Sequence, residues 1–313
     1  MLVFIIRRLL AGIVLLLAVS FVAFTMLYIG GGDIARRLLG ENAAPEVVAQ
    51  KAAELGLDRP FFVQYLDWLG GAVRGDLGAS WFTSQAVVVD LSSRLPVTLS
   101  IVVGAVLLAA VVSVVLGVLA ATRGGWIDGL VQFISVIGFS IPNFLIALML
   151  VIVFAINLGW FNATGYVTFA ISPAGWVASV TLPIIALSLA TIATVTQQIR
   201  GSVLDAMTRD YVRTLQTRGL NSRTIVLQHV LRNAGGPALA VLAVQFIGLL
   251  GGAIVIEQIF ALPGIGQLTV QATTLGDIPV VMGVVMITAI IAVIVNLAID
   301  LAQAALNPKV RLS

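Results

Sequence analysis

The sequence predicts an all-α, polytopic membrane protein with about six transmembrane helices. Of its 313 residues, 60% are hydrophobic and 10% charged, against roughly 25% charged in a soluble domain. Six apolar runs approach the ~20 residues that a helix needs to cross a bilayer. The 17 Lys and Arg residues fall mainly on alternate connecting segments, a distribution set by membrane orientation rather than by nucleic-acid binding. Cysteine is absent and His229 is the sole histidine. Disulfides, thiolate metal sites and histidine-cluster metal centres are thereby excluded.

The first span is predicted over residues 9–29, after Arg7 and Arg8. It is too long for a signal-peptide core and no A-x-A site follows it. It therefore reads as an uncleaved helix with a cytoplasmic N-terminus. An extracytoplasmic segment follows over about 30–95, with short helices at 45–55 and 64–73. Gly70, Gly71, Gly75 and Gly78 mark its turns.

Further spans are predicted at 96–121, 130–156, 180–199, 238–256 and 280–302. No Asp, Glu, Lys or Arg lies between Asp128 and Arg200. That stretch is too long for one crossing, and Trp160, Phe161, Tyr166 and Trp176 in its middle suit a membrane interface. It is therefore divided into two helices joined on the outer side. The segment 200–236 is cytoplasmic. Leu204, Met207, Tyr211 and Leu215 recur at helical spacing and predict one amphipathic helix. Gly219 ends it, Asn221 or Ser222 caps a second helix through Asn233, and Gly235-Gly236-Pro237 separates that helix from the fifth span.

With both termini inside, inner segments carry 11 of the 17 basic and 4 of the 14 acidic residues, leaving 6 and 10 outside. The asymmetry fits the positive-inside rule. Acids near the membrane occur only at span ends: Asp33, Glu257, Asp277 and Asp300. Ion-coupled transporters place such groups within the membrane. The polar residues inside the spans are Gln132, Asn143, Gln197, Gln198, Gln245 and Asn296. Most are expected to bond between helices, with one or two lining a pathway. A P-loop needs Gly-Lys-Ser/Thr, and neither Lys51 nor Lys309 follows glycine. The chain itself is expected to be non-catalytic, and energy for active transport must arrive from another subunit. Pro142, Pro183, Gly248, Gly251 and Gly252 allow either close helix packing or broken helices around a path.

The segment Asp210-Tyr211-Val212-Arg213-Thr214-Leu215-Gln216-Thr217-Arg218-Gly219-Leu220 resembles the EAA loop of ABC importer permeases, in its dipeptide/oligopeptide/nickel branch. Arg213-Thr214-Leu215 stands where the wider superfamily has Glu-Ala-Ala, and Leu215 for Ala departs further. His229-Val230-Leu231-Arg232-Asn233-Ala234 is similar to the same branch. So are Leu55-Gly56-Leu57-Asp58-Arg59-Pro60, Arg74-Gly75-Asp76-Leu77-Gly78, Ser140-Ile141-Pro142-Asn143-Phe144, Glu257-Gln258-Ile259-Phe260 with Pro263-Gly264-Ile265-Gly266, and Leu306-Asn307-Pro308-Lys309-Val310-Arg311.

The resemblance implies a type I ABC importer permease fold over residues 1–313 as a single transmembrane domain in a bacterial inner membrane. It also implies half of a translocation path for short peptides, working by alternating access. The implied partners are a second homologous permease, two ABC ATPase subunits or domains and an extracytoplasmic substrate-binding protein. ATP and magnesium are then bound by the ATPases, and this chain holds no cofactor or metal. Tyr211, Arg213, Thr214, Arg218, Gly219, Leu220, Asn221 and Ser222 are the expected contact to an ATPase, with Leu220 exposed at the turn to enter a groove.

Asn143, Gln198 and Gln245 are the expected polar groups of a mostly apolar path, because a fixed unpaired charge is expensive to bury. Glu257 and Asp277 are candidates for an outer gate or for attracting a peptide amino terminus, the alternative being simple solvation. The same family takes glutathione and nickel chelates. A secondary transporter or channel working without ATPases is the competing class. A respiratory-complex subunit is a third, but no histidine sits within a span to bind haem.

Overall fold

In the computed structural model, residues 2–30 and 34–306 are described. The helices in chain order are α1 (Leu2–Gly30), α2 (Ile34–Leu39), α3 (Pro45–Glu54), α4 (Phe61–Val73), α5 (Val87–Arg123), α6 (Gly125–Ser140), α7 (Asn143–Leu150), α8 (Pro173–Met207), α9 (Asp210–Thr217), α10 (Ser222–Thr224), α11 (Leu231–Ile259), α12 (Ile265–Leu275) and α13 (Ile278–Leu306). A π-helical stretch, Val151–Asn157, follows α7, and a second, Ile225–Val230, fuses α10 to α11. Among the described residues the sole β feature is an isolated bridge between Ala79 and Ala86. Asp33 and the segment 307–311 lie outside the described residues.

Five helices are long and apolar enough to cross a membrane, and the bent pair α6–α7 makes a sixth. Most outrun the predicted spans. The continuous helix Ser222–Ile259 has 38 residues, about 57 Å at 1.5 Å per residue, against a ~30 Å hydrocarbon core. Hydropathy marks only the part within lipid, and a helix continues wherever its polar extension finds packing. This corrects three readings. Gly235-Gly236-Pro237 does not end a helix: Pro237 sits inside α11, where buried Ala234 and Ala238 hold the chain to a core, and packing overrides propensity. The predicted helix through Leu204 and Leu215 is two, because the Thr208 hydroxyl donates to the Asp205 carbonyl and Arg209 is extended. The outer segment ends at α5, starting at Val87 rather than 96, and contains the unpredicted α2.

The chain divides into two compact units. Among the described residues the first comprises 2–5, 97–262 and 294–306. Within it, Ile141 takes an extended conformation before Pro142, as the proline ring requires, and α6 and α7 meet at a bend of 97°. Whether this pair crosses or turns back is decided by its ends. The Arg200 guanidinium on α8 holds the Asp128 carboxylate at the start of α6, with Nε–Oδ1 2.5 Å and Nη2–Oδ2 2.6 Å. At the far end, the Val167 N–H donates to the Ser179 hydroxyl of α8 at 3.4 Å. Ser179 and Arg200 are 21 positions apart on α8, about 31 Å along a helix. Residues 128–167 therefore run beside α8 over about the ~30 Å of a hydrocarbon core, the length that one broken crossing needs.

The second unit comprises residues 6–96 and 263–293. Its core joins Phe24, Ile34, Tyr65, Ile278 and Met282. Phe61 and Tyr65 of α4 meet Phe21 and Phe24 of α1 edge to face, with ring centroids 5.4–5.6 Å apart. The Tyr65 hydroxyl lies 3.0 Å from the Ser20 hydroxyl. The second of the predicted outer helices, α4, is thus seated on the first span.

Candidate functional site

The turn between α9 and α10 is built from the backbone outward. Gly219 has φ +80°, a left-handed conformation that costs glycine little. The Gly219 N–H donates to the Gln216 carbonyl at 2.9 Å and the Leu220 N–H to the Leu215 carbonyl at 3.2 Å. These two bonds form a Schellman C-cap. The Asn221 side chain then accepts from the Arg223 N–H at 3.2 Å and starts α10.

Arg213, Thr214, Arg218, Gly219, Asn221 and Ser222 are exposed, together with Arg209 and Arg223. Leu220 is not the exposed apolar tip that was expected. It is half-buried against the core of Val195, Ile199, Val203, Val212, Ile225 and Val230. The residue after a Schellman glycine habitually packs back on the helix it closes, which places Leu220 beside the same core as Leu215. The outward face of the turn is therefore cationic and polar. That core also takes in Ala234, Ala238 and Leu242 of α11 and partly buried Val106, Ala110 and Val118 of α5. The Tyr211 hydroxyl accepts from the Asn233 amide at 3.2 Å. The exposed turn is thus bound to α5, α8 and α11, and displacement of one is felt by the others because a packed core deforms little.

The expected pathway residues have divergent surroundings. Gln198 is half-buried and donates to Ser202 of its own helix at 3.2 Å. Asn143 opens α7 immediately after the break, and Gln245 lies on α11; both are half-buried. Glu257 and Asp277 are not solvated. Glu257 is fully buried and accepts from the Thr98 hydroxyl of α5 at 2.5 Å. Asp277 is 3% exposed and accepts from the Ser80 hydroxyl at 2.5 Å and the Trp81 N–H at 3.3 Å. Ser80 in turn accepts from the N–H groups of Phe82 and Thr83, so Asp277 anchors the loop preceding α5. Each carboxylate is held by a hydroxyl-bearing residue in or before the second span, and these are the partners that composition and spacing do not reveal.

Residues 113–312 match the family described as binding-protein-dependent transport system inner membrane component, and residues 1–102 match its N-terminal companion. The chain belongs to this family. It is 38% identical over 308 residues to a putative peptide transport system permease protein of Brucella abortus (strain 2308), covering 98% of each chain. It is 36% identical to a probable peptide ABC transporter permease protein of Sinorhizobium fredii, covering 99% of each. It is 33% identical to the glutathione transport system permease protein of Escherichia coli (strain K12), again covering 99% of each. Among solved structures, an inward-facing MetNI methionine ABC transporter chain matches with TM-score 0.54 and 18% identity, over 69% of this chain and 96% of that one. The last likeness shows the fold alone, that of a type I importer permease. As an inner membrane component of this family, the chain is a multi-pass membrane protein, and the Arg-rich turn lies within the region matched to the family.

Sequence reasoning found this turn through its motif. It missed Asn233 as the partner of Tyr211, although Asn233 stands in a family-like segment. It also missed the pairing of Asp128 with Arg200, whose signal was their position at the two edges of a charge-free stretch.

Proposed function

We propose that this permease forms half of the translocation path of an ATP-driven importer of short peptides. The observation that carries the proposal is the cationic turn at 209–223, presented outward and fastened by one core to three spans. In this reading the turn, with Tyr211, Arg213, Thr214, Arg218, Gly219, Asn221 and Ser222, lies against one of two ATPase subunits. Arg213 and Arg218 contact acidic groups beside the docking groove, and Leu220 supports the turn from beneath. ATP and magnesium are held by the ATPases. A second, homologous permease completes the path, and an extracytoplasmic binding protein delivers the substrate. Closure of the ATPases moves α9, and the shared core conveys that motion to α5, α8 and α11, alternately opening the path to the two sides.

The names of the relatives support a peptide or glutathione substrate. ATP-dependent uptake by the complete complex in proteoliposomes tests the reading, with tritiated dialanine, a tritiated pentapeptide and tritiated glutathione as probes. Uptake of none, or uptake that ignores ATP, rejects it. The competing substrate is glutathione alone, seen as uptake of that probe only.

Six crossings with cytoplasmic termini predict the labelling of cysteines introduced into this cysteine-free chain. Ser84→Cys and Ala163→Cys are expected to react with an impermeant maleimide in intact cells, and Ser222→Cys only in inverted vesicles. Labelling of Ser222→Cys from outside overturns the orientation.

Glu257 and Asp277 are each proposed to take part in outer gating. Glu257→Gln and Asp277→Asn keep an acceptor for Thr98 and Ser80 but remove the charge. Each is expected to lower the uptake rate several-fold while the complex assembles normally. Unchanged kinetics across peptides of differing charge would remove the gating role.

A further inference from the structure

We infer that Asp128 and Arg200 are positioning residues for transport: their ion pair makes the broken span α6–α7 move as one body with α8. The inference rests on the importer reading above.

The geometry is that of a fork on a carboxylate. Two parallel N–H···O contacts of 2.5 and 2.6 Å join Arg200 Nε and Nη2 to the two oxygens of Asp128, and such pairing fixes orientation as well as distance. The two side chains are only 23% and 20% exposed, so water competes poorly for them. Gln132, one turn further along α6, also lies beside the carboxylate.

Away from the ion pair, α6 packs along α8 through small and apolar residues, with Val131 and Ser135 buried. Gly138 lets α6 approach Ala193 and the Leu189 carbonyl closely. Around that contact lies a cavity of about 70 Å³, lined by Val131, Ser135, Gly138, Ile192, Ala193 and Thr196 among others. The Thr196 hydroxyl is buried with no partner. A void forfeits the dispersion contacts that would otherwise fix one helix on the other. Most of the remaining α6 surface, including Leu130, Phe133, Ile134, Val136 and Ile137, is exposed on this chain.

At its other end α6 is separated from α7 by a 97° break, and α7 makes its own contacts with α8 and α11. α8, by contrast, continues beyond Arg200 for two turns to Met207 and hands the chain to α9. The guanidinium is therefore the directional polar link between the helix that leads to the Arg-rich turn and the start of the broken span. Without the link, α8 moves and α6 lags. The complex then assembles and hydrolyses ATP, but the path does not open in step.

The test uses the whole complex in proteoliposomes, with tritiated dialanine and tritiated glutathione as probes. The variants are Asp128→Asn, Arg200→Gln, Arg200→Lys and the exchange Asp128→Arg with Arg200→Asp. The three single variants are expected to co-purify with the ATPases at wild-type amounts and to retain hydrolysis within two-fold. Their uptake per ATP hydrolysed is expected to fall at least ten-fold. Arg200→Lys keeps the charge without the fork and belongs with the impaired group. The exchange is expected to recover at least half of the wild-type ratio. Wild-type uptake per ATP in Asp128→Asn overturns the inference. So does a loss of assembly and hydrolysis in proportion to uptake, which marks a bond that merely stabilises the fold. An exchange no better than the single variants overturns it too. If the wild-type complex itself shows no ATP-dependent uptake of either probe, the importer reading fails instead.

Discussion

Gly219→Val is expected to abolish uptake and to weaken retention of the ATPase subunits, while the permease still inserts and pairs with its partner. At φ +80° a β-branched residue is strained by about 1–3 kcal/mol, and the conformation is held only by the two cap bonds to Gln216 and Leu215. No atom lies within 4 Å of the position a Cβ would take, so any loss arises from the backbone rather than from a clash. Leu220→Asp is expected to have the same phenotype by a different route, setting a charge against the core that carries α9. Leu220→Met, a volume-conserving exchange, should be almost silent, since the leucine packs on its own chain. Co-purification of the ATPases with the permease pair, read beside uptake, separates the possibilities. If Gly219→Val loses uptake with ATPase retention and stimulated hydrolysis intact, the turn is not the coupling element.

Gly117→Leu is expected to prevent assembly of the complex. A Cβ there would sit 2.8 Å from Ile199 Cγ2, 2.9 Å from Ile199 Cβ and 3.0 Å from the Thr196 carbonyl oxygen. The last is helix backbone and yields only if α8 moves away from α5. Overpacking of this kind typically costs 1–3 kcal/mol and sometimes more, and here it would open the core that bears the Arg-rich turn. Gly117→Ala should show a smaller loss of thermal stability. Gly201→Ala on the same α8, with nothing within 4 Å of its Cβ position, should show almost none. Equal melting temperatures for Gly117→Leu and wild type in detergent would exclude close α5–α8 packing at this level.

The spans were legible in the sequence because lipid imposes long apolar runs. Their extents were not, since Val87 and Ser222 begin helices that leave the membrane and are stabilised by packing that hydropathy does not register. The turn at Gly219 was legible as a break and its capping residue Asn221 was named. The inward orientation of Leu220 required the backbone hydrogen bonds, because exposure at a turn is the default reading of an apolar residue there. The solvated alternative for Glu257 and Asp277 fails for the converse reason. Carboxylates at span ends usually meet water, and only the tertiary fold supplies Thr98 and Ser80. The break at Ser140-Ile141-Pro142 was visible from its proline, whereas its angle depends on what α7 packs against.

The π-helical stretch Ile225–Val230 lies between the Arg-rich turn and α11. A π turn holds one more residue than an α turn. It therefore behaves as an α-helix carrying an inserted residue, with the distortion confined to the insertion. Chain length at this point is uncoupled from helical phase. Removing exposed Gln228 would let the stretch relax to α geometry while Ile225 on one side and Ala234, Ala238 and Leu242 on the other keep facing the core. Removing one residue within regular α11, such as Ala240, would instead rotate everything beyond it by about 100°. A one-residue change of length in this chain at 225–230 would thus be absorbed before it reached the apolar part of α11.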